Sequence, residues 1–342
     1  MSETCAPRRL SFLSFIFPVY NEEASLPYLR REFEAWLPAL EGRRYEVILV
    51  NDGSSDSSLA LCTAWASVCP QVKVISFSRN FGHQPAVTAG LRSASGEAVV
   101  IMDADLQDPL SAVPEMIRRF EEGYDVAYGR RISRQGETVF KKVTAWAFYR
   151  LMQKCVYRDL PEDTGDFRLV SRRVVDAVNA MPEGHRFLRG MFAWVGFRQI
   201  AVPYVRDERR FGSTKYPLSK MMRFAWHAIT SFSALPIRLV SLWGALIACL
   251  GFLICLYALY SWCMGETVQG WTSLMGLIAM LGGSSILAIG LVGEYVGNIF
   301  EEVKNRPYYI VERCINFPEK ERTVFGEPVI SSDGGLERVQ KT

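Results

Sequence analysis

Two long uncharged runs near the C-terminus constrain this chain more than any other feature. From Leu239 to Met264, 26 residues, and again from Thr267 to Gly293, 27 residues, there is no Asp, Glu, Lys, Arg or His. A helix needs about 20 apolar residues to cross the hydrocarbon core of a bilayer, so each run is long enough to span with some tilt. Core helices of soluble proteins carry a polar face and seldom run so far without a charge. Only Gly265 and Glu266 separate the runs, which predicts a tight helical hairpin. Gly276, Gly282, Gly283, Ser284, Ser285 and Gly290 would let helix backbones approach closely, and Trp262 and Trp271 flank the loop where interfacial tryptophans sit. Lys215, Lys220, Arg223 and Arg238 precede the first run, Lys304, Arg306 and Arg313 follow the second, and the loop has no basic residue. The positive-inside rule then puts both termini in the cytoplasm and makes the expected location the inner (cytoplasmic) membrane, multi-pass. Nothing at the N-terminus reads as a signal peptide, because Met1 to Arg9 is polar and Leu10 to Phe17 has the pattern of a strand.

Ahead of the first run, Leu218, Met222, Ala225, Ile229 and Phe232 recur at helical spacing, with Lys220 and Arg223 off that stripe. Next to a membrane hairpin, this predicts an amphipathic helix over 216–236 lying in the interface; a core helix would show the same stripe. The expected organisation is a cytoplasmic catalytic domain over 1–215, the interfacial helix over 216–236, two transmembrane helices over 237–295 and a cytoplasmic tail over 296–342. Charge adds an exclusion. With 39 Lys+Arg against 36 Asp+Glu the net charge is only +3, which argues against a nucleic-acid partner. The eight cysteines form no C-x-x-C pair, so neither a zinc site nor a redox motif is signalled.

The first 215 residues alternate short apolar runs with amphipathic stretches. Ser11–Phe17, Glu46–Val50, Val72–Phe77, Ala98–Met102 and Asp125–Tyr128 read as strands, and Glu22–Leu40 and Ser58–Val68 as helices. That alternation predicts an α/β fold with a mainly parallel sheet covered on both faces. Ligands of such sheets bind beyond the carboxyl ends of the strands, so the residues just after each strand carry the information. Neither G-x-G-x-x-G nor a P-loop is present. After the second strand comes Asn51-Asp52-Gly53-Ser54-Ser55-Asp56, where an acidic side chain can accept from a base or ribose; a turn ending in a Ser55 or Asp56 helix cap fits equally. After the fourth comes Asp103-Ala104-Asp105-Leu106-Gln107-Asp108-Pro109. Strand alternation would send Asp103 and Asp105 to one side, a hard oxygen set suited to Mg²⁺ or Mn²⁺. Asp108 before Pro109 reads as a helix N-cap rather than a ligand. Basic clusters at Arg130, Arg131, Arg134, Lys141 and Lys142, and at Arg206, Arg209, Arg210 and Lys215, could meet phosphates or simply face solvent.

Pro18-Val19-Tyr20-Asn21-Glu22, the two acidic segments above, Thr164-Gly165-Asp166-Phe167-Arg168-Leu169 and Arg209-Arg210-Phe211-Gly212-Ser213-Thr214-Lys215-Tyr216 occur in that order. Together they resemble the family 2 (GT-A fold) inverting glycosyltransferases, and within them the polyprenyl-phosphate branch that holds bactoprenol glucosyltransferases and dolichyl-phosphate mannose synthases. Gly293-Glu294-Tyr295-Val296-Gly297 and the paired spans resemble its bacterial members, including the lipid A aminoarabinose branch, and the likeness extends to about Phe317. The resemblance implies that Asp52 contacts the nucleotide base with Pro18, Tyr20 and Glu22 in the same donor pocket. It implies that Asp103, Asp105 and Gln107 hold a Mg²⁺ or Mn²⁺ ion on the donor diphosphate and that Asp166 is the catalytic carboxylate. Arg209 and Lys215 would contact phosphates, Arg131 is a candidate for the lipid phosphate, and His83 would stand near the nucleotide unless it merely starts a helix. The partners so implied are a nucleotide-sugar donor, a polyprenyl-phosphate acceptor, the membrane, and other copies of the chain in a tetramer.

The implied reaction moves a sugar, first of all glucose from UDP-glucose, to undecaprenyl phosphate with inversion. N-acetylglucosamine, mannose and modified arabinose remain open. Asp166 could take a proton or position the acceptor, and the sequence does not choose. A processive polysaccharide synthase would carry more spans and a Gln-x-x-Arg-Trp run, and Gln199-Ile200 begins none. The topology is testable directly. Cysteines placed beside Glu266 should react with an impermeant thiol reagent from outside the cell, and cysteines near either terminus only after permeabilisation; termini on opposite sides would refute the hairpin.

Overall fold

The computed structural model describes residues 8–131, 164–184, 186–205, 235–264 and 270–318. Its strands are β1 (Phe12–Val19), β2 (Arg44–Asn51), β3 (Val72–Phe77), β4 (Ala98–Ile101), β5 (Val126–Arg131), β6 (Thr164–Ser171), β7 (Gln199–Tyr204) and β8 (Val311–Ile315). The helices are α1 (Leu26–Trp36), α2 (Ser58–Val68), α3 (His83–Ser93), α4 (Val113–Glu121), α5 (Arg172–Ala180), α6 (Leu188–Trp194), α7 (Leu235–Cys263) and α8 (Trp271–Val303). They fall into two compact units: the sheet with α1 to α6, completed by residues from Pro307 onward, and α7 with α8.

The strands form one sheet in the order β7-β5-β6-β4-β1-β2-β3-β8. β4, β1, β2 and β3 run parallel, as the strand–helix alternation predicts. β6 is antiparallel to both β4 and β5, and β8 is antiparallel to β3, so the sheet is mixed rather than parallel throughout. Both faces are buried, which is why the central strands read as nearly unbroken apolar runs. In β1, Phe15 and Phe17 face α1 and α2, with Phe15 edge-on to Phe33 at a centroid distance of 5.0 Å. Ile16 points the other way, into a second core with Ile48, Ile75, Val99 and Ile101 of the sheet and Ala86, Val174 and Met191 of α3, α5 and α6. Helix α3 lies close on that face: a Cβ on Gly90 would come within 2.4 Å of Ile16 Cγ2.

Several expectations need correction. The stretch Glu22–Leu40 becomes α1 from Leu26 and a 3-10 turn over Leu37–Leu40, because Pro27 sets the first turn and Pro38 interrupts the helix. Strands β6 and β7 fall outside the sequence reading, since β6 places Asp166 and Arg168 among its apolar residues and shows no dense apolar run. The segment assigned to a tail, 296–342, supplies β8, which pairs Cys314 with Ile75 and Val311 with Phe77. Tyr309 stacks on Phe77 at 4.9 Å, and Phe317 is buried. Glu312 and Arg313 hide this strand in the sequence, as charges on edge strands commonly do.

The described residues of both uncharged runs are helical, in α7 and α8. Leu281–Val303, 23 residues with none of its most apolar stretch buried, is the one segment among the described residues long and apolar enough to cross a membrane. In the first run the apolar helical stretch is the shorter Leu239–Leu253. Glu294, Glu301 and Glu302 lie within α8, which continues past the expected end of the span at 295. Of the proposed interfacial helix, 216–234 lie outside the described residues.

One buried charge ties the sheet's flank to the N-terminal segment. Asp125, with no exposed side-chain surface, accepts from Arg8 at 2.9 Å, from Arg173 Nε at 2.5 Å and Arg173 Nη2, and from the Ser171 hydroxyl at 3.2 Å. Burial alone would raise its carboxyl, but the two guanidinium groups hold it below the usual carboxylate range. A pKa depressed in the folded state stabilises above the unfolded value of about 3.9 and loses that contribution as pH falls through the folded one. Asp125→Asn should therefore cost about 2–4 kcal/mol at pH 7, less than a fully buried pair because both arginines are partly exposed. Denaturant titrations of the full chain in detergent should show the gap to wild type constant from pH 8 to about 5 and closing below about 4.

Candidate active site

Of the residues singled out by sequence, Pro18, Tyr20, Glu22, Asp52, Asp103, Asp105 and Asp166 converge at the carboxyl edge of the central strands. Parallel pairing of β1 with β2 sets Val19 opposite Asn51, and the Asp52 amide donates to the Val19 carbonyl at 2.8 Å, so Tyr20 and Asp52 emerge side by side. The chain turns at Asn21, whose φ of 54° is left-handed, and its Oδ1 accepts from the Ser55 amide at 2.9 Å. Pro18 is buried at the end of β1, and Tyr20 is half exposed. The Glu22 carboxylate accepts from the Ser25 hydroxyl at 2.5 Å at the start of α1, while its amide donates to Ser58 Oγ at 2.8 Å. The helix cap expected at Ser55 or Asp56 falls at Ser57, although Asp56 Oδ1 accepts from the Ser58 amide at 3.0 Å.

Asp52 is buried, and both its carboxylate oxygens are engaged. They accept from the amides of Phe81 at 2.7 Å and Gly82 at 2.9 Å, in the loop between β3 and α3. Burial pushes its pKa up against the pull of these amides. Asp52 thereby anchors the residues leading into His83. Gly53 makes that anchoring possible: its φ is +61°, and a Cβ there would lie 2.3 Å from the Arg79 carbonyl carbon.

Antiparallel pairing brings the second group together. Ile101 of β4 faces Arg168 of β6, and continuing that register by two residues sets Asp103 against Asp166. His83 bridges them, its Nε2 3.2 Å from Asp166 Oδ2 and 3.9 Å from Asp103 Oδ1. Arg189, on α6, forks onto Asp166 with Nε to Oδ1 at 2.7 Å and Nη2 to Oδ2 at 3.0 Å. Burial alone would raise the Asp166 carboxyl, but Arg189 and His83 override it and hold it well below the usual carboxylate range. The same carboxylates raise His83 against the lowering effect of its own burial. Asp103 is pushed up to about 6 by burial, with His83 opposing and Asp166, Asp108 and Asp105 adding to the rise.

Asp103 and Asp105 do not project by strand alternation. The strand ends at Ile101 and a turn begins at Ala104; Leu106 has a φ of 60°, and Asp105 Oδ1 accepts from the Gln107 amide at 3.2 Å. Asp108 is not an N-cap either: Pro109 precedes the 3-10 turn Leu110–Ala112, and Asp108 Oδ1 accepts from the Tyr204 hydroxyl at 2.6 Å. Tyr204 in turn accepts from Arg131 Nε at 3.4 Å, which places Arg131 on the Asp108 side of the cluster. Gln107 lies in the same turn, partly buried, and Arg209 and Lys215 lie outside the described residues.

Among the described residues no three His, Cys, Asp or Glu side chains form a metal-binding group on their own. The donor chemistry nevertheless fits a hard divalent ion. Asp103 and Asp105 offer carboxylate oxygens two residues apart at one turn. Mg²⁺ or Mn²⁺ characteristically takes one or two carboxylates and fills its shell with water and phosphate oxygens.

Arg189 and Arg168 escaped the sequence reading. Arg168 is buried, donates to the carbonyls of Gly165 at 3.0 Å and Asp166 at 3.3 Å, and lies over the Phe192 ring at 4.7 Å; burial lowers it to about 10. The usable signal for Arg189 was its isolation, the one charge in the helix LRGMFAW, since a charge in an apolar helix demands a partner.

Gly53→Ala should force the β2–α2 turn away from Arg79 and disturb the Asp52 anchor. A loss of about 1–3 kcal/mol in stability is expected, together with weakened nucleotide binding by calorimetry. Unchanged melting and unchanged binding would show that the turn yields without cost.

The family model described as "Glycosyl transferase family 2" matches residues 14–178. A Bacillus subtilis (strain 168) protein described as "Uncharacterized glycosyltransferase YkcC" is 44% identical over 308 residues, 90% of this chain and 95% of that one. A Shigella flexneri protein described as "SfII prophage-derived bactoprenol glucosyl transferase" is 39% identical over 305 residues, 88% of this chain and 97% of that one. Among solved structures, glucosyl-3-phosphoglycerate synthase from Mycobacterium tuberculosis is 21% identical over 64% of this chain and 76% of that one, with a TM-score of 0.45, too distant to transfer chemistry. The shared identity runs nearly end to end in the relatives and the family match spans β1 to α5, so this chain belongs to glycosyltransferase family 2.

Proposed function

We propose that this glycosyltransferase moves a sugar, first of all glucose from UDP-glucose, onto undecaprenyl phosphate at the cytoplasmic face of the membrane, with inversion at the anomeric carbon. The observation that carries this reading is the union in one chain of an acidic family 2 site and an exposed apolar helix of 23 residues, Leu281–Val303. A soluble acceptor would need no such helix. The relative named a bactoprenol glucosyl transferase is collinear with this chain over 97% of its own length, which supports the same acceptor class. Exposed Leu242, Trp243, Leu246 and Phe252 on α7 support a second span and hence the hairpin.

In this reading Asp52, Pro18, Tyr20 and Glu22 form the donor pocket, Asp103, Asp105 and Gln107 hold a divalent ion, and Arg131, Arg209 and Lys215 meet phosphates. Mg²⁺ or Mn²⁺, when bound, supplies positive charge against the departing diphosphate. The chemistry asks little of a base. A phosphate monoester has its second pKa near about 6, so the acceptor is mostly dianionic at neutral pH. One of its oxygens forms a bond to the anomeric carbon while the bond from that carbon to the diphosphate oxygen breaks, and the electron pair leaves with the nucleoside diphosphate. In this reading Asp166 acts on the acceptor side of the displacement.

The test is a panel of labelled nucleotide sugars offered to the purified chain with undecaprenyl phosphate in detergent. Lipid-linked label should form fastest from UDP-glucose and vanish with EDTA. Asp103→Asn and Asp105→Asn should each lower turnover by about 100-fold or more with unchanged melting. Wild-type turnover in EDTA would remove the metal assignment. Label released only as free sugar would remove the lipid acceptor.

A further inference from the structure

We propose that Arg189 is the positioning residue of this site: its guanidinium grips both oxygens of Asp166 and fixes the direction that carboxylate presents to the reacting groups. The inference rests on the reading of the site as a sugar-transfer centre.

Geometry carries it. Nε and Nη2 of Arg189 reach Oδ1 and Oδ2 of Asp166 at 2.7 and 3.0 Å, a planar fork on a planar carboxylate. Paired charge-assisted bonds of this kind fix orientation as well as charge. His83 Nε2 takes a further position on Oδ2 at 3.2 Å. These three contacts occupy Oδ2 twice and Oδ1 once, which leaves one lone-pair site of Oδ1 facing outward from the fork. Among the described residues, further charged groups around it are Arg168 of the same strand, Asp103 beyond β4, and Arg131, whose Nη2 lies beside Gly165.

The fork is itself built in. Helix α6 is only seven residues long, and its first amide, Leu188 N, donates to Gln84 Oε1 at 3.0 Å. Gln84 follows His83 at the start of α3, so one short segment orients both partners of Asp166. That segment is held from the other side by Asp52 through the Phe81 and Gly82 amides. Behind α6, buried Arg186 donates to the Met181 carbonyl at 2.5 Å and to the Glu183 carbonyl at 3.3 Å, pinning the loop that leads into Leu188. Restraints of this kind fix where Asp166 stands, and a misplacement of about 1 Å can cost on the order of 100-fold in rate.

The experiment compares wild type, Arg189→Ala, Arg189→Lys, Asp166→Asn and the double variant Asp166→Asn/Arg189→Ala in the full chain. Arg189→Ala should lower kcat on the order of 100-fold and leave the donor KM within about threefold. Arg189→Lys keeps the charge without the fork and should fall between; it also serves where the alanine variant fails to fold. The double variant should be no worse than Asp166→Asn within about threefold, since the pair acts as one unit. A second readout does not depend on turnover: carboxyl ¹³C NMR of aspartate-labelled protein, with the Asp166 signal identified by its loss in Asp166→Asn. In wild type that carboxylate should stay ionised down to pH 4, and in Arg189→Ala it should titrate above about 4. Fully additive losses, an unchanged kcat in Arg189→Ala, or an Asp166 titration identical in the two proteins would each overturn the proposal. Absence of wild-type turnover with every nucleotide sugar would instead overturn the functional reading, and the NMR titration would still decide the fork.

Discussion

Strand β6 enters the sheet antiparallel beside β4, and the candidate site depends on that single pairing. A parallel strand in the same place would present its carboxyl end at the ligand edge. An antiparallel one presents its beginning, and Thr164-Gly165-Asp166 is the beginning of β6. The register that puts Arg168 opposite Ile101 therefore delivers Asp166 to the turn after β4, where Asp103 and Asp105 stand. Because side chains alternate with a period of two, a slip of one residue would turn Asp166 to the other face. Buried Phe167 and Leu169 on one side, and Val170 on the other, lock the register against such a slip.

Bringing four carboxylates to one edge is electrostatically costly, and the structure answers each differently. Asp166 is given cations, Asp108 a tyrosine hydroxyl and Asp105 a backbone amide. Asp103 has His83 Nε2 at 3.9 Å, and its burial, ahead of its acidic neighbours, raises its carboxyl to about 6.

Asp52 connects the two halves of the site. The resemblance assigns it to the nucleotide, and the structure shows its carboxylate already fastening the loop that leads to His83 and Gln84. Asp52 and His83 are thus joined through the Phe81 and Gly82 backbone. A helix N-terminus held in this way is a rigid support, and rigid supports place side chains more accurately than free loops do.

Sequence by itself determined the parallel core strands β1 to β4, most of the acidic residues of the site, the two uncharged runs and the family resemblance. Those features are local: apolar density, turn chemistry and motif order all lie within a few residues of one another. Tertiary structure alone decided the rest. Asp103 and Asp105 take their directions from a turn with Leu106 at φ 60°, not from strand alternation, and Asp108 answers to Tyr204, 96 residues away. Arg189 is 23 residues from Asp166 and meets it only because α6 returns to the edge of β6. Strand β8 is legible in the sequence neither as apolar nor as alternating, since its place at the sheet edge is earned by backbone pairing with β3 and by Tyr309 on Phe77. Pairing across such distances leaves no periodicity in the chain, because backbone hydrogen bonds do not read side chains and a buried charge needs only one partner, which can come from anywhere.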